Sequence, residues 1–85
     1  MSFELQISRR ALKALAGIER RDQQRIRAVI ELLAESPRPP ACTALVGARN
    51  VYRIRVGDYR VVYEVHDDKL VVLVIAVGHR REVYR

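Results

Sequence analysis

Apolar and polar positions alternate in three of four strand-like stretches of the chain, and the fourth is a nearly continuous apolar run. The first stretch, FELQIS at 3–8, places Phe3, Leu5 and Ile7 on one side. The other three lie at 51–56, 59–66 and 69–77. The pattern therefore predicts one strand near the N-terminus and three consecutive strands in the second half of the chain.

Between these stretches the apolar residues recur at helical spacing. Ser8 is a candidate N-cap for a first helix, and Gly17 indicates where that helix ends. A second helix is predicted over 20–35, and Pro37 follows it because the residue before a proline disfavours helical backbone. Residues 37–50 then read as a loop. The fold class is α+β, in a single domain of 85 residues, with an N-terminal strand and helical hairpin packed on an antiparallel sheet.

Gly57 and Asp58 predict a two-residue hairpin turn of type II′ between the second and third strands. Counting outward from this turn pairs Arg55 with Arg60 and Arg53 with Val62. One face of the hairpin is then apolar and aromatic and packs on the helices. The members of that face are Tyr52, Ile54, Val56, Tyr59, Val61, Tyr63 and Val65.

The opposite face of the hairpin carries Arg53, Arg55 and Arg60. Like charges directly across a sheet destabilise it, and an anion bound between them reverses the sign of that interaction. Arg80, Arg81, His79 and Tyr84 follow the last strand and reach the same face if the chain turns back over it. The set is typical of a phosphate site with acid and base groups at its edge, and the alternative is a solvated arginine surface.

Charge and composition favour the phosphate site. The chain holds 16 Lys and Arg against 10 Asp and Glu, and all but Lys13 and Lys69 of the cations are arginine. Arginine presents a planar set of donors that suits phosphate, so nucleic acid is the first candidate partner. The single cysteine, Cys42, excludes an internal disulfide and a cysteine-based zinc site, and no cofactor is expected. The longest apolar run, 70–77, is too short to cross a membrane, which predicts a cytoplasmic protein.

The stretches GDYRVVYEV and VGHRREVYR closely resemble the RelE family of toxins from type II toxin–antitoxin systems. The segment SRRALKALAGIERRDQQRIRAVIELLAESPRPP also fits the helical pair of that family. The resemblance implies a metal-independent endoribonuclease that cuts mRNA in the A site of the 30S ribosomal subunit by attack of the RNA 2′-hydroxyl. It also implies a cognate antitoxin as partner, with operator DNA bound only through the antitoxin complex.

The same resemblance implies a role for each residue of the arginine face. Arg60 holds the scissile phosphate, and Arg53 and Arg55 stand where the best-studied members have lysines. Arg80 acts as general acid or charge stabiliser, and Tyr84 orients the substrate or stacks on it. Arg81 is expected to add a phosphate contact.

Two departures from the family pattern bear on the mechanism. Arginine stays protonated, so Arg55 cannot accept a proton as a lysine of lowered pKa can. His79 then becomes the expected general acid or base, because histidine titrates near neutrality. In addition, the chain stops at Arg85, without the further helix of some members.

Two other functions share this fold. A ParE-like toxin inhibits gyrase and needs no RNA-cleaving site. A catalytically decayed toxin acts only as a module that binds antitoxin or operator DNA, and the replacement of the lysines favours this reading. Assays of RNA cleavage, DNA supercoiling and growth arrest distinguish the endoribonuclease, the gyrase inhibitor and the decayed toxin.

The last strand predicts where the antitoxin binds. If the register continues through the turn at Asp67 and Asp68, a strip of four aliphatic residues shares the face of the arginines. The strip is Val71, Leu73, Ile75 and Val77, and the residues expected toward the helices are Leu70, Val72, Val74 and Ala76. An open aliphatic strip is an association site, so we expect an antitoxin segment to lie across it. A bulge in this region would exchange the two faces.

Overall fold

The N-terminal part of the fold follows the local signals of the sequence. The computed structural model describes residues 2–79 and begins with strand β1, Glu4–Ile7, followed by helix α1, Arg9–Ala16. The Oγ atom of Ser8 accepts a hydrogen bond of 3.1 Å from the backbone N–H of Ala11, which caps α1. Helix α2, Arg20–Glu35, ends just before Pro37, as predicted.

Five strands form one sheet in the order β1-β5-β4-β3-β2. The remaining strands are β2, Cys42–Ala44; β3, Val51–Val56; β4, Tyr59–His66; and β5, Val71–His79. β1 runs parallel to β5, and every other pair is antiparallel. The prediction of a plain loop over 37–50 was wrong at its centre, because Cys42, Thr43 and Ala44 pair with β3 and extend the sheet.

Both helices pack on one face of this sheet. α1 lies on β5, and α2 crosses β1, β5 and β3. The core between the layers is aliphatic apart from Tyr63, which is fully buried and donates a hydrogen bond of 2.7 Å to the carbonyl oxygen of Pro37. This bond satisfies the one polar atom that the ring brings into the core. No helix of residues 2–79 is long and apolar enough to span a membrane.

The β3–β4 hairpin has the predicted register. Arg55 pairs with Arg60, and Arg53 pairs with Val62. Gly57 has a φ of +62°, whereas the φ of Asp58 is not positive. This combination fits a type II′ turn, in which only the first central residue needs the left-handed region.

The register of β5 differs from the prediction because β5 contains a bulge. Val62 pairs with Ala76, but the next residue, Tyr63, pairs with Val74, so Ile75 is an extra residue on β5. The predicted assignment of faces therefore holds only for the first half of the strand. Beyond the bulge the faces exchange: Val77 enters the core at 6% exposure.

Arg38 joins three separate segments at the end of the sheet away from the β3–β4 turn. Its guanidinium donates to both carboxylate oxygens of Asp67, at 3.1 and 2.6 Å, and its Nε donates to the Tyr52 hydroxyl at 2.7 Å. These bonds lower the pKa of Asp67 below its usual value. The loop after α2 is thus tied to β3 and to the β4–β5 turn.

We expect Gly57→Ala to destabilise the protein by about 1–2 kcal/mol, because its positive φ places a Cβ in a left-handed conformation. The added Cβ would also lie 3.3 Å from Nη2 of Arg25. Gly17→Ala is the matched control, since Gly17 has a φ of −87° and its Cβ would meet only ordinary contacts. Urea unfolding measures both, and equal stabilities for the two variants would contradict the assigned turn.

The Arg38–Asp67 pair predicts a small loss of stability in acid. Since the pKa of Asp67 is lowered by folding, its contribution is present above the unfolded pKa of about 3.9 and is lost as the pH falls through the folded value. Urea titrations of wild type and Asp67→Asn should differ at neutral pH and converge in acid. Asp68→Asn is the control, because Asp68 forms no ion pair with the described residues. If the wild type were more stable than Asp67→Asn by the same free energy of unfolding at every pH, this role would be disproved.

Candidate functional site

The face of the sheet that the helices do not cover carries the predicted arginines. We call it the open face. Its members on the three central strands are Val51, Arg53, Arg55, Arg60, Val62, Glu64, His66, Val71, Leu73, Ala76 and Gly78. Arg55 and Arg60 stand directly opposite each other, as the alternation predicted, and Arg53 lies diagonally across from Arg60.

Local contacts orient two of these arginines differently. Arg55 is exposed, and its Nε donates a hydrogen bond of 2.9 Å to the carbonyl oxygen of Gly57, which draws its guanidinium toward the hairpin turn. Arg60 is half-buried, and its Nε atom lies fully inside the protein surface. A guanidinium keeps its charge even when it is partly desolvated, and its attraction for an anion increases there.

The β5 bulge determines what lies beside Arg60. Because of the extra residue Ile75, the residue across from Arg60 is Gly78, where an unbroken ladder would place Val77. Gly78 has no positive φ, so its backbone conformation does not require glycine. Glycine inside a strand is destabilising and often marks the close approach of another group. Val62, two residues from Arg60 on the same face, adds an apolar surface beside it. Only 8% of Val62 is exposed, although it faces away from the helices.

His79 does not share the open face, and its expected place beside the arginines needs correction. His79 pairs with Tyr59, whose side chain packs on the helix side of the sheet. The two rings meet edge to face with centroids 5.9 Å apart, and His79 borders a cavity with Lys13 and Gly17. The bulge causes this difference, because it exchanges the faces of every residue that follows it.

Arg80, Arg81 and Tyr84 lie outside the described residues. Their expected roles therefore stay predictions. Of the seven predicted site residues, the structure brings Arg53, Arg55 and Arg60 together on the open face and places His79 on the other side of the sheet.

An imidazole–carboxylate pair on the open face was not predicted. Nε2 of His66 lies 2.8 Å from Oε1 of Glu64 on the same strand as Arg60. Continuing the alternation along β4 would have placed His66 on this face. At about 3.3 Å per residue, Glu64 is about 13 Å and His66 about 20 Å along the strand from Arg60. The open face is thus cationic toward the β3–β4 turn and carries acidic groups toward its other end.

Fold and open face together define a class: a small α+β protein whose sheet carries clustered arginines on the face that the helices leave uncovered. Comparison with known proteins is more specific. Residues 5–84 match the family described as "ParE toxin of type II toxin-antitoxin system, parDE". The mRNA interferase toxin RelE of Escherichia coli K12 is 36% identical over 99% of this chain and 92% of its own length. The putative toxin RelE1 of Methanocaldococcus jannaschii is 30% identical over 100% of this chain and 98% of its own.

The solved structures agree with the sequence relatives. The toxin in the crystal structure of the intact E. coli RelBE toxin–antitoxin complex superimposes with a TM-score of 0.82 at 34% identity, over 92% of this chain and 96% of that one. The chain therefore belongs to the RelE/ParE family of toxins from type II toxin–antitoxin systems.

Proposed function

We propose that this toxin is a metal-independent endoribonuclease that cleaves mRNA in the A site of the 30S ribosomal subunit. The observation that carries the proposal is the opposed pair Arg55–Arg60 on the open face, with Arg53 diagonally beside Arg60. Like charges in register destabilise a sheet, and an anion bound between them would reverse the sign of that interaction. The name of the E. coli relative, an mRNA interferase toxin, supports RNA as that anion.

The reaction places a phosphodiester against these arginines. The 2′-oxygen of the RNA attacks the adjacent phosphorus, the bond from phosphorus to the 5′-oxygen breaks, and a proton reaches that leaving oxygen. The products are a 2′,3′-cyclic phosphate and a 5′-hydroxyl. Negative charge grows on the phosphoryl oxygens in the transition state, and guanidiniums fixed beside them stabilise that charge. Arg60 and Arg55 supply this stabilisation, and Arg53 holds a neighbouring phosphate.

Proton transfer needs groups other than these three arginines. An arginine remains protonated and cannot accept the 2′-hydroxyl proton. His79 lies on the helix side, and the pair Glu64–His66 lies too far along β4 to reach a phosphate at Arg60. As the resemblance implies, we assign Arg80 the role of general acid or charge stabiliser and Tyr84 that of orienting the substrate or stacking on it. We also assign a further phosphate contact to Arg81. The ribosome supplies the remaining proton acceptor.

The antitoxin is proposed to cover the same face. Val71 and Leu73 lie on the open face, half-buried, next to Glu64 and on the far side of it from the arginines. An antitoxin segment with apolar side chains over Leu73 and carboxylates over Arg53 and Arg60 would block RNA binding in one event. The solved RelBE toxin–antitoxin complex of E. coli supports a cognate antitoxin as partner. We further propose that operator DNA binds only through the antitoxin complex.

Inhibition of gyrase is the second candidate, because the matching family is described by its ParE toxin. That activity does not use an arginine site for phosphate. Measuring mRNA cleavage and DNA supercoiling in the same cells after induction separates the two. Loss of supercoiling with intact mRNA would favour gyrase inhibition.

Arg60→Ala should lower the rate of mRNA cleavage on ribosomes about 100-fold, the typical effect of losing one transition-state donor. Its side chain lies on the open face, away from the core, so the variant should keep its melting temperature. His79→Gln is the comparison variant and should cleave within a few-fold of wild type, because His79 lies on the helix side. Full activity in a folded Arg60→Ala protein would refute the arginine site, and a large loss in His79→Gln would restore the histidine to the mechanism.

Leu73→Asp should weaken antitoxin binding about 100-fold while changing the melting temperature of the free toxin little, since Leu73 faces away from the core. Isothermal titration with the purified antitoxin measures the first quantity and thermal unfolding the second. Leu32→Asp, the same change on the exposed surface of α2, is the control and should bind normally. If Leu73→Asp unfolds the toxin, or binds antitoxin as wild type does, Leu73 is not the anchor.

A further inference from the structure

The tip of the β3–β4 hairpin carries a second cluster of polar side chains. Helix α2 brings the guanidinium of Arg25 against Gly57, so that a Cβ at Gly57 would lie 3.3 Å from Nη2 and 3.4 Å from Nη1. Arg25 remains 57% exposed, and its one ion pair with the described residues is a single contact of 3.5 Å to Asp22. Most of its donors therefore stay available.

Arg55 reaches the same turn from the open face. Its Nε is bound to the carbonyl oxygen of Gly57 at 2.9 Å, so Gly57 lies between two guanidiniums that come from opposite sides of the hairpin. A cavity of about 460 Å³ opens here. It is lined by Asp22, Arg25, Arg55, Gly57, Asp58 and Tyr59.

The charges of this lining decide which ligand fits. The guanidiniums of Arg25 and Arg55 are balanced by the carboxylates of Asp22 and Asp58. A phosphate would face both carboxylates and gain little from such a neutral site. A nucleobase carries hydrogen-bond donors and acceptors on its edges, so it can accept from arginine and donate to aspartate. Tyr59 adds an aromatic ring, the side chain on which unpaired bases stack.

The position of the cavity relates it to the cleavage site. Asp58 is two residues from Arg60, about 7 Å along an extended chain, and Arg55 belongs both to the cavity and to the open face. We propose that this cavity binds the base of a nucleotide next to the cleaved bond, with Arg25 as a residue that determines base specificity. The inference rests on the proposed function for its ligand, a single-stranded RNA.

The test measures binding of an RNA that cannot be cleaved. A fluorescent RNA of about ten nucleotides carries a 2′-O-methyl group at the cleaved position, and an abasic nucleotide is moved through each neighbouring position. Fluorescence anisotropy with wild-type toxin should reveal one position at which loss of the base weakens binding about tenfold. Arg25→Gln should bind the intact and abasic RNAs with equal affinity. Arg27→Gln is the control on the far side of the same helix and should keep the tenfold difference.

Several outcomes would overturn the proposal. The first is that the wild-type protein binds every abasic RNA with the same affinity as the intact RNA. The second is that it binds neither the intact RNA nor any abasic one. Another is an Arg25→Gln protein that loses the same affinity for all RNAs and shows a smaller salt dependence, because that result identifies a phosphate contact. Asp58→Asn is a second variant on an exposed turn, and it should change which base is preferred at that position. If the toxin fails to cleave mRNA, the proposed endoribonuclease function is refuted. The RNA-binding measurement still decides whether the cavity binds a base.

Discussion

The register of the β3–β4 hairpin determines both which side chains the sheet buries and which it places on the open face. The two-residue turn at Gly57 fixes the register, and the register sends Ile54 and Val61 into the core while it places Arg55 and Arg60 opposite each other on the open face. A shift of one residue would bury the arginines and expose the aliphatic residues. The apolar core therefore keeps two arginines in register on the other face of the same strands.

The hairpin could be predicted because its sequence alternates at every position except Val62 and its turn residues are distinctive. Each apolar residue from Tyr52 to Val65 that the alternation assigned to the helix side lies there, and the tyrosines Tyr52 and Tyr63 stack with their centroids 5.8 Å apart. The N-cap at Ser8 and the break at Gly17 were equally local signals and were confirmed. In these segments the burial pattern and the turn chemistry indicate the same structure.

The last strand could not be predicted in the same way, because it is apolar on both faces. In the run from Val71 to Val77 no polar residue marks the open side, so the bulge at Ile75 leaves no trace in the pattern. The parallel pairing of β1 with β5 and the short strand β2 depend on contacts between distant segments. The bulge also determines which residues of β5 lie on the open face near Arg60. It places Gly78 beside Arg60, sends Val77 into the core and turns His79 toward the helices.

Whether Arg55 and Arg60 share a bound phosphate is tested most directly by a double-mutant cycle on the two residues. The cycle is measured in the free toxin and in its complex with an uncleavable RNA. Arg55→Gln, Arg60→Gln and the double variant give the coupling free energy from urea unfolding and from RNA affinity. We expect an unfavourable coupling of about a few tenths of a kcal/mol in the free toxin, from like charges in register, and a favourable coupling in the complex. A coupling of the same sign in both states would show that the two arginines do not share a bound phosphate.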